Sequence, residues 1–123
     1  MFEKYRNDGY SQKLEGIEIK TLVHGENTLM VEFRLQKGAT LPLHSHPHEQ
    51  TGYLVNGHIR LIMGSDVHEV FRGDSWCIPG GMLHGAESIA DSVAIEVFSP
   101  VREDFLSVTT GIAASTHEKG VCR

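Results

Sequence analysis

Short segments in which apolar and polar residues alternate are the feature that most constrains the fold of this chain. In Leu29–Leu35, apolar residues occupy every second position, which is typical of a strand with one buried face. Residues 93–98 alternate in the same way, and further strands are predicted at His58–Met63, residues 67–71 and Ser75–Ile78. Turn residues separate these segments at spacings of ~8–12 residues, which predicts an all-β sandwich or barrel.

The dipeptide Asn56-Gly57 lies between predicted strands at residues 51–55 and 58–63. Both of its residues tolerate the positive φ angles of a type I′ turn, so we expect a two-residue hairpin here. Tyr53 and Trp76, which lie on predicted strands, are expected to be core residues, and the alternative is that they form platforms for a substrate. Only residues 102–108 are expected to form a helical turn or two.

A chain of 123 residues is most consistent with one domain. We expect an irregular arm or edge strand over residues 1–16, a β-barrel over residues 17–108 and a loose tail over residues 109–123. The two cysteines, Cys77 and Cys122, are expected to be reduced thiols.

Composition and charge exclude several classes of function. A net charge of −5 argues against sequence-independent binding of nucleic acid, which needs a basic surface. No run approaches the ~18 apolar residues of a membrane span. The first residues are charged and polar and lack the apolar core of a signal peptide, so a cytoplasmic location is expected.

A cluster of three histidines, His44, His46 and His48, is followed two residues later by Gln50. Neutral imidazole is a metal ligand near pH 7, and residues separated by one position on a strand point to the same face. His44 and His46 are therefore predicted to hold one ion, with further ligands supplied from elsewhere in the chain. Pro47 interrupts the strand, so His48 is expected beside the site or at the surface. The alternative is a polar cluster without a metal.

Two motifs resemble those of the cupin superfamily. The first has the form G-x5-H-x-H-x3-E-x6-G, and the residues at its positions are Gly38, His44, His46, Gln50 and Gly57. The second has the form G-x5-P-x-G-x2-H-x3-N, and the residues at its positions are Gly73, Pro79, Gly81, His84 and Ser88. The resemblance implies a single-domain jelly-roll barrel, a double-stranded β-helix. It also implies one divalent metal ion held by His44, His46, Gln50 and His84.

Gln50 stands where the cupin motif has a glutamate. Three imidazoles and a neutral amide leave the full charge on a bound ion, which favours Lewis-acid chemistry over oxygen activation. This ligand set suits nickel, zinc, manganese and iron alike.

The stretches HSHPHEQTGYLVNG and IEVFSPVREDF resemble the KdgF family of small single-domain cupins. That family carries D-x-F-S-P-x-R-E-D on its last strand and the following turn, and Glu96 stands here at the aspartate. The resemblance implies that a 4,5-unsaturated uronate monosaccharide, a small acidic sugar, is converted to a linear 4-deoxy-5-keto uronate. Glu96 would move protons as general base and acid, Arg102 would orient the substrate carboxylate, and Phe98 would form an apolar wall.

Alternatives remain open for both the residues and the activity. Glu96 and Arg102 can instead form a structural ion pair, or Arg102 can lie exposed at the rim of the barrel. The chain can also be a metal-dependent dioxygenase of the quercetinase-like small cupins, or a non-enzymatic cupin that binds a sugar or effector. Because exposed strand edges and an N-terminal arm can pair with a neighbouring chain, we expect a homodimer.

Overall fold

The computed structural model describes residues 1–106, which contain ten strands and one short 3-10 helix. The strands are β1 Ser11–Leu14, β2 Ile17–His24, β3 Leu29–Leu35, β4 Thr40–His44, β5 Glu49–Asn56, β6 His58–Met63, β7 Asp66–Phe71, β8 Ser75–Ile78, β9 His84–Ser88 and β10 Ser92–Ser99. The 3-10 helix, Glu103–Phe105, falls within the segment predicted to make a helical turn. The predicted tail over residues 109–123, with Cys122, lies outside the described residues.

The strands form two antiparallel sheets that enclose one core. The larger sheet has the order β1-β2-β3-β10-β5-β8, and the smaller has the order β4-β9-β6-β7. Strands that are neighbours in sequence repeatedly lie in different sheets, as in a jelly roll. The predicted all-β jelly-roll fold is therefore confirmed.

Successive side chains of β3 and β10 point alternately into the core and away from it. The apolar positions of β3, from Leu29 to Leu35, are buried, while the positions between them are partly or fully exposed. On β10 the buried face carries Ala94, Glu96 and Phe98. Burying a side chain the size of Phe98 stabilises the fold by about 1.5–3 kcal/mol. Glu96 is therefore a carboxyl group on an otherwise apolar inner face.

The predicted hairpin at Asn56-Gly57 is wrong, because β5 and β6 lie in different sheets. Both edges of β5 are already occupied, by β10 and β8, so β6 pairs with β7 and β9 instead. Gly57 is required here by a close approach: a Cβ at this position would lie 2.6 Å from the Asp91 carbonyl oxygen. The dipeptide therefore carries the chain from one sheet to the other. The two-residue hairpin of this region is Gly64-Ser65, between β6 and β7.

Tyr53 is not a core residue, and its side chain is 49% exposed. On β5 the inward positions are Gln50, Gly52 and Leu54, so the alternation places Tyr53 on the outer face of the larger sheet. Trp76, the other residue expected in the core, is half-buried and packs against the core cluster.

Within residues 1–16, only β1 joins the larger sheet, where it pairs with β2 at the sheet edge. The division of the chain at residues 16 and 108 stays a prediction. Within residues 1–106, no helix has the length and apolar character needed to cross a membrane.

Candidate metal centre

Three histidine side chains converge at one end of the smaller sheet. His44 ends β4 and is paired across the sheet with His84, which begins β9, and their ring centroids lie 4.3 Å apart. His46 lies two residues beyond β4, with its ring 4.8 Å from that of His84. One nitrogen from each of the three rings lies within 4.8 Å of the others. The second half of the site therefore comes from His84, forty residues along the chain from His44.

A backbone carbonyl sets the orientation of each ring. Nδ1 of His44 lies 2.8 Å from the Pro42 oxygen, Nδ1 of His46 lies 3.1 Å from the His48 oxygen, and Nδ1 of His84 lies 2.8 Å from the Met82 oxygen. Because a carbonyl oxygen can only accept, each Nδ1 carries the proton and each Nε2 keeps its lone pair. This arrangement of hydrogen bonds is the one that supports histidine ligands of a metal ion.

The Nε2 atom of His84 is a buried acceptor without a partner among the described residues. Buried polar atoms in proteins are normally satisfied, so an orphan lone pair facing two other imidazoles fits a cation. Burial lowers the pKa of both His46 and His84, and Arg102 contributes to each shift. Both rings are thereby kept in the neutral form that binds metal.

Gln50 adds a fourth donor to the three histidines. It is buried on β5, and its Oε1 lies 3.1 Å from Nε2 of His46. Its amide nitrogen donates to Oε1 of Glu96 at 2.9 Å, so the amide oxygen is the atom that faces the histidines. Two acceptor atoms that face each other at this distance repel one another unless a cation lies between them. Gln50 is thus brought beside the His46 member of the cluster, with its oxygen, a possible metal donor, facing the imidazole.

His48 contributes its backbone to the site. Its carbonyl accepts the Nδ1–H of His46, and its own ring is half-buried, 5.5 Å from the His46 ring. Burial and the charge of Arg102 lower the pKa of His48. His48 therefore orients a neighbouring histidine rather than joining the three rings that converge.

Glu96 is buried beside Gln50 on the inner face of the larger sheet. Burial raises the pKa of Glu96 to about 8, and the Gln50 amide and the Trp76 indole act in the opposite direction. The two side chains are diagonal neighbours, since Glu96 lies opposite Gly52 and Gln50 lies opposite Phe98. A carboxyl group in this position is held by the same amide that faces the histidines.

Gly52 makes room for Trp76 next to Glu96. In register, Trp76 on β8 lies opposite Gly52 on β5, which lies opposite Glu96 on β10. A Cβ on Gly52 would lie 2.2 Å from the indole Cε2, so the ring lies across the space that any larger residue would fill. The indole Nε1 is buried and does not reach hydrogen-bond geometry with any described residue. From sequence, Trp76 was predicted only as a core residue, because its neighbour across the sheet cannot be read from local pattern.

Arg102 is not paired with Glu96, and it is not exposed at the rim of the barrel. Its Nη2 and Nε donate to the Asp104 carboxylate at 2.9 and 3.3 Å, and its side chain is only 14% exposed. The guanidinium carbon lies 4.0 Å from the ring centroid of Phe105 and 5.0 Å from that of Phe98. Packing against two rings and one carboxylate fixes the guanidinium at the cavity.

A cavity of about 270 Å³ opens between the two sheets and contains most of the predicted site residues. Its lining includes His44, Gln50, His84, Glu96, Phe98 and Arg102. Most of the remaining lining is apolar, which is typical of a small-molecule site with a few polar groups. Lys13 and Phe105 also belong to this lining and were not predicted as site residues. Lys13 belongs to a segment without clear periodicity, and no signal in the sequence alone points to it.

Comparison with known proteins identifies similar chains. The family model described as Cupin domain matches residues 31–99. The pectin degradation protein KdgF of Dickeya dadantii (strain 3937) is 31% identical over 94 residues, which cover 75% of this chain and 86% of that protein. The structure of KdgF from a Halomonas species superposes with a TM-score of 0.80 at 28% identity, covering 86% of this chain and all of the other. An RmlC-like cupin from Shewanella frigidimarina superposes with a TM-score of 0.81 at 28% identity, covering 85% and 95% of the two chains.

Proposed function

Because the chain belongs to the cupin family, we propose that it is a metal-binding enzyme of pectin degradation. Its reaction would convert a 4,5-unsaturated uronate monosaccharide to the linear 4-deoxy-5-keto uronate. The observation that carries this proposal is the 31% identity to a pectin degradation protein across most of both chains. The cavity beside the histidine cluster, with one buried carboxyl and one arginine in its lining, supports it.

The reaction is an isomerisation, so it needs proton movement and no oxidant. The hydroxyl at C1 loses its proton, the bond between C1 and the ring oxygen breaks, and C1 becomes an aldehyde. The former ring oxygen is left as an enolate on C5, which becomes a ketone as a proton is added at C4. Atoms and electrons balance with one proton removed and one returned, and one carboxyl group can perform both transfers.

The metal ligands in this proposal are His44, His46, His84 and Gln50. A divalent ion bound by them would act as a Lewis acid on substrate oxygens. These four donors are neutral, so they leave the charge of the ion undiminished. Nickel, zinc, manganese and iron all accept such a set.

Glu96, Arg102 and Phe98 act on the substrate itself in this proposal. Glu96 takes the proton from the C1 hydroxyl and returns one at C4. Arg102, held against Phe105 and Asp104, orients the substrate carboxylate. Phe98, which is buried and lies 5.8 Å from the His46 ring, forms the apolar wall that limits water at the reacting carbons.

A spectroscopic assay tests the reaction directly. The double bond between C4 and C5 is conjugated with the carboxylate and absorbs in the ultraviolet, whereas the product lacks it. Protein loaded separately with each of the four metals should accelerate loss of this absorbance over the spontaneous rate, and a Glu96→Gln variant should not. Rates equal to the spontaneous rate with every metal would refute the reaction. An active Glu96→Gln variant would refute the role of Glu96.

We also propose that the chain forms a homodimer. The outer face of the larger sheet supports this, since Tyr53 and Val55 on β5 and Met30 on β3 are exposed there. Exposed apolar residues grouped on one face are typical of a protein interface. Light scattering behind size exclusion should give twice the mass of 13.6 kDa, and a single-chain mass would contradict the proposal.

A further inference from the structure

Lys13 is the extra residue of a β-bulge at the edge of the larger sheet. Ser11 pairs with Ile19 and Gln12 with Glu18, but the next pair is Leu14 with Ile17, so Lys13 has no partner in the ladder. Bulges change the direction of a side chain and are common beside active sites. Although Lys13 belongs to an exposed strand, it lines the cavity that also contains Glu96 and Arg102.

Phe105 links Lys13 to Arg102. The Lys13 ammonium lies 5.1 Å from the centroid of the Phe105 ring, and the Arg102 guanidinium carbon lies 4.0 Å from it. The ring is itself fixed, because Phe105 is 2% exposed, its carbonyl accepts from the Thr21 hydroxyl, and its edge meets Phe98 at 5.4 Å. Two cations are thus held around one immobile aromatic ring.

The positive charges of Lys13 and Arg102 are only partly neutralised at the cavity. The Asp104 carboxylate accepts from Nη2 and Nε of Arg102 and neutralises part of its charge. Nη1 of Arg102 makes no hydrogen bond to any residue in the range 1–106. Lys13 likewise forms no ion pair within that range. Among the described residues, the one carboxyl group of the cavity lining is Glu96, which hydrogen-bonds Gln50. In a chain of net charge −5, two cations that contact the same ring and line the same cavity form a local site for an anion.

We propose that Lys13 is a specificity-determining residue that binds the substrate carboxylate together with Arg102. One carboxylate oxygen meets Nη1 of Arg102 and the other meets the Lys13 ammonium. This inference deepens the proposed function and rests on it for the identity of the substrate as a uronate. The recognition itself requires only a sugar that carries a carboxylate, so it can be measured apart from turnover.

Binding of a saturated sugar acid tests Lys13 without any reaction. Galacturonate and its neutral counterpart galactose are titrated by calorimetry into the full-length protein loaded with metal. Lys13→Met removes the charge and nearly keeps the length of the side chain, and Lys13→Arg restores a cation. Lys37→Met is the control, because it removes an exposed lysine that does not line the cavity. Kinetics with the unsaturated uronate are measured for the same proteins.

Lys13→Met should weaken galacturonate binding about 3- to 10-fold and raise KM by a similar factor, with kcat changed less than about twofold. Lys13→Arg should recover most of the affinity, and Lys37→Met should match the wild type. Galactose should bind more weakly than galacturonate to the wild type. The affinity should also fall with salt more steeply in the wild type than in Lys13→Met.

The outcomes separate this inference from the proposed reaction. If the wild type fails to turn over the unsaturated uronate but Lys13→Met still weakens galacturonate binding, the reaction is refuted and the anion site stands. If Lys13→Met binds galacturonate as tightly as Lys37→Met does, the role of Lys13 is refuted whatever the activity. Wild-type protein that binds no sugar acid, or binds galactose equally well, also overturns the inference.

Discussion

The Gln50 amide nitrogen donates a 2.9 Å hydrogen bond to Oε1 of Glu96, while the Gln50 oxygen lies 3.1 Å from Nε2 of His46. One amide therefore connects the proposed proton-transfer group to the proposed metal ligands. Because an amide presents a donor on one side and an acceptor on the other, an acceptor at Glu96 directs the amide oxygen towards the histidines. This relationship gives Glu96 two separable effects, one on chemistry and one on the orientation of Gln50.

Replacing Glu96 by leucine should weaken metal binding. Without an acceptor, the Gln50 amide loses the partner that fixes its orientation, and loss of such support typically costs 10–100-fold in metal affinity. Competition with a chromophoric chelator measures the effect. Glu96→Gln is the matched control, since its amide oxygen can still accept from Gln50 and its metal affinity should stay within about threefold of the wild type. Equal affinities for Glu96→Leu and the wild type would contradict the positioning effect.

Replacing His84 or His44 by alanine should abolish stoichiometric metal binding. Each change removes one of three converging imidazoles, and the remaining donors no longer enclose an ion. Elemental analysis after dialysis should show less than about a tenth of the wild-type content. His68→Ala, which removes an exposed histidine of β7, should retain the full content. Undiminished metal in His84→Ala would place the ion elsewhere.

Replacing Gly52 by alanine should destabilise the protein and displace Trp76. The new Cβ would lie within 2.4 Å of three indole atoms, and forcing extra volume into a packed site typically costs 1–3 kcal/mol. Denaturant titration measures the free energy of unfolding. The emission of Trp76, the one tryptophan in the chain, reports its surroundings. Gly25→Ala is the control, because nothing lies within 4 Å of a Cβ there. An unchanged emission spectrum for Gly52→Ala would show that the indole does not depend on the glycine.

Replacing Arg102 by lysine should reduce kcat/KM for the unsaturated uronate by about 10- to 100-fold. Lysine keeps the charge but loses the planar fork that contacts Asp104 while facing the cavity, and it loses the stacking on Phe105. Steady-state kinetics on metal-loaded protein provide the measurement. Arg60→Lys, which alters an exposed arginine paired with Glu69 and Glu87, should leave kcat/KM unchanged. A wild-type value for Arg102→Lys would show that charge alone is sufficient.

The local pattern of apolar and turn residues was sufficient to predict most of the strands. His58–Met63 and Ser75–Ile78 have the predicted bounds, and the alternating residues of Leu29–Leu35 form a strand, because alternation and turn residues are properties of neighbouring positions. The turn at Asn56-Gly57 was placed correctly along the chain, but its partner strands were not. A dipeptide that tolerates positive φ suits a hairpin and a crossing between sheets equally, and the choice depends on which strand edges are free.

The sequence by itself determined that the fold is an all-β cupin and which side chains are of metal-ligand type. Both follow from the types of residue and the spacing between them. Only the tertiary structure decided which partners those side chains meet. Glu96 meets Gln50 rather than Arg102, and a bulge in β1 brings Lys13 to Phe105. Register and bulges depend on pairing between distant strands, so a pattern read along one strand does not contain them.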